Sequence, residues 1–466
     1  MTRQIQCISP VDGKVYVERP TAAAAEIAAT LERARRAQKA WRHVPVGERA
    51  ALVVRVVDAL KAMGAEIAQE LAWQMGRPIR YGQGELRGVE ERARYMADVA
   101  PTALAPVVPI DSPPGFERYV VREPVGIVFA IAPWNYPYLT TVNSVVPALI
   151  AGNAVILKQA AQTLLAGERF QKAFDAVGLP AGLFTHLVLE HGQTEAVISG
   201  GCVDHVAFTG SVEAGRAMER AAAGTFTTLG LELGGKDPAY VAPDANLKFA
   251  IENLVDGAFF NSGQCCCGIE RIYVHESRYD AFVKGFVEVT GQYVLGDPLD
   301  RATTLGPMAR ANLAEVVRAQ TREAIDKGAK ALIDPRSFAW DRPGSPYLAP
   351  QVLTEVDHTM TVMREESFGP IIGIAKVRDE DEAIGLMNDS RYGLTASIWT
   401  EDVRAAKRIG EAIETGTIYM NRCDYLDPGL AWTGVKETGY GASLSSLGYG
   451  ALTRPKSYHL RLSTAD

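Results

Sequence analysis

At 466 residues, 47% hydrophobic and 22% charged, the chain is globular and long enough for two or three domains, each with its own apolar core. A formal net charge of −7 excludes nucleic acid or an anionic membrane as the main partner and leaves a small molecule. No window approaches ~18 consecutive apolar residues and residues 1–7 contain no apolar core, so neither a membrane span nor a signal peptide is expected. The chain reads as cytoplasmic, and Cys7, Cys202 and Cys423, scattered singly, fit reduced thiols rather than a disulfide framework.

From Thr21 to about Tyr95 the pattern is helical. Thr21 is a candidate N-cap for an Ala-rich helix, and Leu52, Val53, Val56, Val57 and Leu60 recur at helical spacing. The stretch from Pro101 to Pro114 is rich in Pro and Val and breaks helices, after which residues 116–122 alternate as a strand leaving the compact body. Short apolar runs at 125–131, 154–158, 184–189, 205–209 and 227–233 then alternate with helices or turns. That rhythm predicts an α/β, doubly wound, nucleotide-binding domain with a parallel sheet covered on both faces.

No G-x-G-x-x-G is present. Residues 230–236 fit G-x-x-x-x-G-K, but Asp237 stands where a phosphate loop needs Ser or Thr for magnesium, so that reading is rejected. Residues 208–215 end a strand and open a helix, where free amides and the Ser211 hydroxyl can meet a pyrophosphate. From about Pro238 to Gly434 a second α/β block follows: helix 247–260, a cysteine turn, strand 271–274, helix 278–293, then further strands and helices to Met420. A cleft between the two blocks is the natural active site. The tail, 452–461, is strand-like and is expected to pair with 116–122, in a neighbouring subunit.

The cysteine turn, Asn261-Ser262-Gly263-Gln264-Cys265-Cys266-Cys267-Gly268, places half of the six cysteines side by side. Adjacent thiols lack the spacers of about two to four residues that let ligand pairs wrap a metal ion, so no metal is expected. One thiol exposed in a pocket is a candidate nucleophile; the alternative is three small buried apolar side chains.

Three further motifs decide between these: Pro133-Trp134-Asn135-Tyr136-Pro137 at a strand end, Leu231-Glu232-Leu233-Gly234-Gly235, and Glu365-Glu366-Ser367-Phe368-Gly369-Pro370. Together with the cysteine turn, and in this order over nearly the whole chain, they closely resemble the aldehyde dehydrogenase superfamily. The resemblance implies a Rossmann-like NAD(P)-binding domain over 1–105 and 123–234, a catalytic α/β domain over 235–434, and a small β oligomerisation extension with the C-terminal tail, 106–122 and 435–466. It implies a homodimer or homotetramer acting on a small-molecule aldehyde with NAD or NADP. Cys266, two residues after Gln264, matches the nucleophile, and its neighbours Cys265 and Cys267 read as packing. Asn135, with the Cys266 backbone N–H, matches the oxyanion donor, and Glu232 matches the general base, its apolar neighbours raising its pKa. Lys158 and Glu366 resemble the contacts to the adenosine and nicotinamide riboses, and Trp134, Gly210, Ser211 and Phe368 line the cofactor channel. Thiol attack, hydride transfer to nicotinamide and hydrolysis of a thioester are the implied steps.

The chain departs from the family pattern in places. Lys158-Gln159-Ala160-Ala161 lacks the Glu that often stands three residues after the lysine, which predicts tolerance of NADP alongside NAD. After Gly441 the frequent Arg-Glu is Ala442-Ser443, so no glutamate relay assists Glu232. Eight residues after Asn135, where members acting on semialdehydes often carry Arg, stands Asn143, which counts against succinic semialdehyde. The polar loop 421–428 places Arg422 and Tyr425 near the pocket, with Arg422 either binding an anionic tail or pairing with Asp424. The expected substrate is therefore a small polar or hydroxylated aldehyde, with a semialdehyde such as succinic semialdehyde as the second choice. A CoA-acylating relative and a catalytically silent structural or ligand-binding relative are the alternatives; Glu232 argues against the first, the intact Cys266, Glu232 and Asn135 against the second.

Overall fold

The computed structural model describes residues 3–464; residues 1–2 of the N-terminal stretch and 465–466 of the tail lie outside them. A six-stranded sheet runs, edge to edge, Gly439–Tyr440, Thr228–Glu232, His205–Thr209, Ile127–Ala132, Ala154–Gln159 and Phe184–His186. It is parallel except at the Gly439–Tyr440 edge. Ile127–Ala132 is buried along its whole length, which is why it reads as an unbroken apolar run rather than an alternating one. The chain leaves this strand, winds outward through Ala154–Gln159 and Phe184–His186, and returns on the other side with His205–Thr209. The carboxyl ends of Ile127–Ala132 and His205–Thr209 therefore flank a topological switch point, where open α/β sheets bind ligands.

A seven-stranded sheet runs Lys330–Ala331, Gln351–Thr354, Ile371–Val377, Ile269–His275, Asp237–Val241, Thr395–Trp399 and Thr417–Met420, again parallel except at the first edge. The helix Leu247–Phe259 and the turn after it bring the cysteines in just before Ile269–His275. The matched expectations differ mainly at element ends: Glu276–Thr290 is the helix read as 278–293.

Three expectations are corrected. Thr21 is not a helix cap: the helix is Ala24–Trp41, the Glu26 carboxylate accepts the N–H of its N-cap Ala23 at 3.4 Å, and Thr21 Oγ1 accepts the Arg3 N–H at 3.2 Å. Pro101 does not stop the helix Ile79–Ala103; it sits in the last turn, where few backbone bonds remain to lose. The tail strand Thr453–Arg461 pairs with Phe116–Pro124 of its own chain, from Thr453 opposite Pro124 to Arg461 opposite Phe116. Its start is pinned there, because the Leu452 carbonyl accepts the Val125 N–H at 3.3 Å and Asn153 Nδ2 at 3.0 Å. An N-terminal hairpin, Gln4–Ile8 with Val15–Pro20, was not anticipated. No helix among the described residues is long and apolar enough to cross a membrane.

Candidate active site

The cysteine turn is locked before it reaches its thiols. Asn261 and Ser262 take left-handed backbone angles (φ 55° and 57°), and Gly263 follows at φ 70°. A Cβ on Gly263 would lie 2.3 Å from the Gly369 carbonyl oxygen, so only glycine fits. Ser262 Oγ donates to the Gly306 carbonyl at 2.8 Å, Gln264 Nε2 to the Asn261 carbonyl at 3.0 Å, and Gln264 Oε1 accepts the Ala309 N–H at 2.8 Å. Downstream, Cys265 and Cys267 bring their sulfurs within 3.5 Å of each other, and Cys267 is buried.

Cys266 stands between two cavities and lines both. One, of about 300 Å³, is a channel walled by Trp134, Asn135, Gly210, Ser211, Glu366 and Phe368. The other, of about 150 Å³, is a pocket walled by Arg92, Asn143, Glu232 and Asp424 among others. All three thiols border the pocket, but Cys266 alone of them reaches the channel. Contact with Cys265, then burial, pushes the Cys266 thiol well above its ordinary range, while contact with Cys266 and Cys267 pulls Cys265 down. Burial raises the Glu232 carboxyl as well, against the Thr209 hydroxyl 3.3 Å away and the charge of Arg92.

The channel is held by buried polar networks. Asn135 Nδ2 donates to the Gln264 carbonyl at 3.2 Å, and the Asn135 carbonyl accepts Asn261 Nδ2 at 3.2 Å and the Arg77 guanidinium. Arg77 pairs with Glu85, whose second oxygen accepts the Tyr138 and Leu139 N–H groups at 2.7 and 3.1 Å. A carboxylate from a distant helix thus caps Pro137–Ala151, the helix that follows Asn135. On the opposite wall Lys236 binds Glu270 at 2.5 Å, and Glu270 accepts the Ser367 and Phe368 N–H groups at 2.8 and 2.9 Å. This fixes the loop in which Phe368 holds φ 47° and stacks edge-on against Trp134, 5.6 Å between ring centres. Glu366 accepts the Gly235 N–H at 3.1 Å, and burial followed by the Glu270 charge pushes its carboxyl up to about 8.

The cofactor fits this channel. Gly210 and Ser211 sit where His205–Thr209 passes into Val212–Ala222, and the amides of that helix's first turn offer an anion site for a pyrophosphate. Ser211 Oγ itself accepts the Ala214 N–H at 3.3 Å and serves as the N-cap. Lys158 is half-buried at the end of its strand and does not itself line the cavity; burial, then Arg310, lowers it to about 8. Gln159 turns inward, donating to the Pro133 carbonyl at 2.8 Å, and Ala161 opens a short 3-10 helix.

Of the residues expected at the pocket, Asn143 lines it and Arg422 and Tyr425 do not. Arg422 is exposed and lies 3.5 Å from the centre of the Tyr425 ring, while Tyr425 Oη donates to Glu91 at 2.5 Å. The left-handed angles at Asn421 (φ 52°) and Asp424 (φ 49°) turn Asp424 inward instead. The residues sequence reading missed are Arg92, the pair Arg77–Glu85 and the pair Lys236–Glu270, all buried. The signal for Arg92 was its helical phase, three residues after the buried Val89 and four before the buried Met96. No group of three or more His, Cys, Asp and Glu side chains among the described residues is placed to hold a metal ion.

A sheet switch point opening onto a thiol shared by a cofactor-sized channel and a small pocket defines an NAD(P)-dependent oxidoreductase. The model of the aldehyde dehydrogenase family matches residues 1–458, and the chain belongs to that family. It oxidises an aldehyde to the carboxylic acid with NAD or NADP. The NADP(+) succinate-semialdehyde dehydrogenase of Deinococcus radiodurans is 34% identical over 97% of this chain and 94% of its own. The NAD(P)+ succinate semialdehyde dehydrogenase Sad of Escherichia coli is 32% identical over 95% and 94%. The solved succinic semialdehyde dehydrogenase of Streptococcus pyogenes, in complex with NADP+, superposes with a TM-score of 0.92 at 30% identity, over 98% of this chain and all of that one.

Proposed function

We propose that Cys266 is the nucleophile, Asn135 the oxyanion donor and Glu232 the base that activates water. One observation carries this reading: Cys266 is the thiol that borders both the channel and the pocket. The sulfur bonds to the aldehyde carbon, and the oxygen, now negative, is held by Asn135 Nδ2 and the Cys266 backbone N–H. The tetrahedral carbon then gives up its hydrogen as hydride and the carbonyl re-forms as a thioester; a nicotinamide cofactor, which Glu366, Phe368, Trp134, Lys158 and the Gly210–Ser211 turn would hold, would supply the acceptor for that hydride. Glu232 then takes a proton from water, the water oxygen bonds to the thioester carbon, and the carbon–sulfur bond breaks. A carboxyl raised by burial suits this task, because it is a stronger base than an exposed one.

The cofactor side is assigned to residues 1–105 and 123–234 and the catalytic side to 235–434, with 106–122 and 435–466 serving subunit contact. Val108, Ile110 and Leu462, all well exposed near the two-stranded ribbon, support a homo-oligomer, dimeric or tetrameric. The missing carboxylate after Lys158 supports use of both NAD and NADP in the cytoplasm. A pocket of about 150 Å³ lies below the ~300–1,000 Å³ typical of drug-sized ligands and supports a small polar aldehyde. The named substrates of the relatives favour a semialdehyde within that class.

Reduction of NAD and of NADP against a panel of small aldehydes, without CoA, tests the reading. Turnover with both cofactors and its loss in Cys266→Ala are expected. Activity that appears only when CoA is added, or that survives in Cys266→Ala, would overturn it.

A further inference from the structure

Five cationic side chains are buried among the described residues: Arg49, Arg77, Arg92, Lys236 and Arg271. Four are satisfied inside the chain. Arg77 and Lys236 pair with Glu85 and Glu270, Arg49 donates to three backbone carbonyls, and Arg271 to four carbonyls and the Tyr273 hydroxyl. Arg92, only 8% exposed, is the exception. Its Nη1 donates to the Leu139 carbonyl at 3.1 Å and to Asn143 Oδ1 at 3.2 Å, both neutral, and no carboxylate lies within the 4.0 Å of an ion pair. Its Nε and Nη2 make no hydrogen bond, yet neither is among the fully enclosed polar atoms that lack a partner, so both open onto free space. That space is the pocket beside Cys266, which Arg92 lines.

A guanidinium taken out of water costs stability unless an anion meets it, and here no described residue pairs with it at contact distance, Glu232 acting on it only from further across the pocket. The vacant donors form the planar fork that matches a carboxylate. Asn143 adds to this: its Oδ1 fixes Nη1, and its Nδ2, which makes no bond within the chain, is a further donor on the same wall. An Arg at 143 would set two guanidinium groups against each other; with Asn there, the cation reaches the pocket from the helix Ile79–Ala103 instead.

We infer that Arg92, oriented by Asn143, is the specificity-determining residue of the pocket, reading the distal carboxylate of a short aldehyde acid whose carbonyl reaches Cys266. This rests on the assignment of Cys266 as nucleophile. Two aldehydes of equal length separate the contributions: succinic semialdehyde and uncharged butanal, assayed on wild type, Arg92→Gln and Arg92→Lys. Arg92→Gln is expected to lose roughly 10²-fold in kcat/KM on the semialdehyde, mostly through KM, and at least tenfold less on butanal. Arg92→Lys should recover part of the preference. Succinate provides a readout that needs no turnover: it should raise the melting temperature of wild type and of Cys266→Ala, but not of Arg92→Gln. Succinate protection in Cys266→Ala holds even if the nucleophile is another group, so the two assignments fail separately. Equal losses on the two aldehydes, or succinate protection retained in Arg92→Gln, would overturn the role of Arg92.

Discussion

The channel and the pocket share Cys266 but are built on opposite terms. Behind the channel two buried charge pairs are matched inside the chain, Arg77 with Glu85 and Lys236 with Glu270, and each carboxylate also accepts backbone N–H groups of the segment it holds. In the pocket Arg92 and Asp424 have no ion-pair partner among the described residues. Matched buried charges fix geometry and are silent toward ligands; an unmatched one is stable only when something outside the chain completes it. The channel is therefore a finished frame and the pocket an unfinished one.

The largest expected effect sharpens the boundary between them. Cys266→Ala should abolish turnover, a loss of at least ~10⁴-fold, while leaving cofactor binding intact, because its sulfur touches the channel without bracing it. Glu232→Gln should lose ~10²–10⁴-fold at a different step: a burst of about one reduced cofactor per site, then near arrest with the acyl group on Cys266. A quench experiment that found no acyl-enzyme in Glu232→Gln would place the base elsewhere.

The frame itself is broken from a distance. Asn135→Ala removes one oxyanion donor and should cost ~10²–10³-fold in kcat. Glu85→Ala touches neither cavity, but it strands Arg77 without its carboxylate and strips the cap from Pro137–Ala151. It should cost about 3–5 kcal/mol in stability, read by denaturant unfolding, and lower kcat by shifting Asn135. If Glu85→Ala unfolded at the wild-type midpoint, the pair would not be the brace its geometry implies.

What could be read from sequence follows the same division. The strands Ile127–Ala132 and Ala154–Gln159 were legible because burial on both faces leaves an unbroken apolar run. Asn135, Cys266 and Glu366 were legible because each sits in a turn whose glycines or prolines mark it, and Glu232 because it ends a strand just before Gly234-Gly235. The N-terminal hairpin was not, since its strands are mostly exposed and only Cys7 and Val17 anchor it. The pairing of Thr453–Arg461 with its own chain was not either, because alternation identifies a strand but not its partner. Arg92 hid for another reason: beside Glu90, Glu91 and Arg94 it looks like one more solvated helix charge, and only its phase on the Val89–Met96 face betrays it. Arg422 misled in the opposite sense, since a loop sequence does not say which way a left-handed turn will point its neighbours.

pH acts on both regions and with one sign at the centre. Attack needs the Cys266 thiolate and hydrolysis the Glu232 carboxylate, and both groups are pushed above their ordinary values of 9.0 and 4.5. The rate at saturating aldehyde should therefore rise with pH across the neutral range. Its acid limb should lie above that of an exposed carboxylate. A profile flat down to the ordinary carboxylate value would contradict the burial of Glu232.

The smallest expected effect belongs to the pocket alone. Burial, then Cys265 and Asp256, push the Asp424 carboxyl up to about 8, with Arg422 drawing it back only weakly from its stacked position over Tyr425. At neutral pH Asp424 therefore keeps its proton, and an incoming carboxylate meets Arg92 without competition from Asp424. As pH climbs through about 8, Asp424 ionises and, from the same pocket wall, repels the substrate's carboxylate. KM for succinic semialdehyde should rise several-fold over that interval, about 1 kcal/mol of like-charge repulsion, while KM for butanal stays level. Asp424→Asn removes the charge without changing the shape and should flatten the rise. A KM that climbs equally for both aldehydes, or as steeply in Asp424→Asn, would mean that the two unmatched charges of the pocket do not see the same ligand.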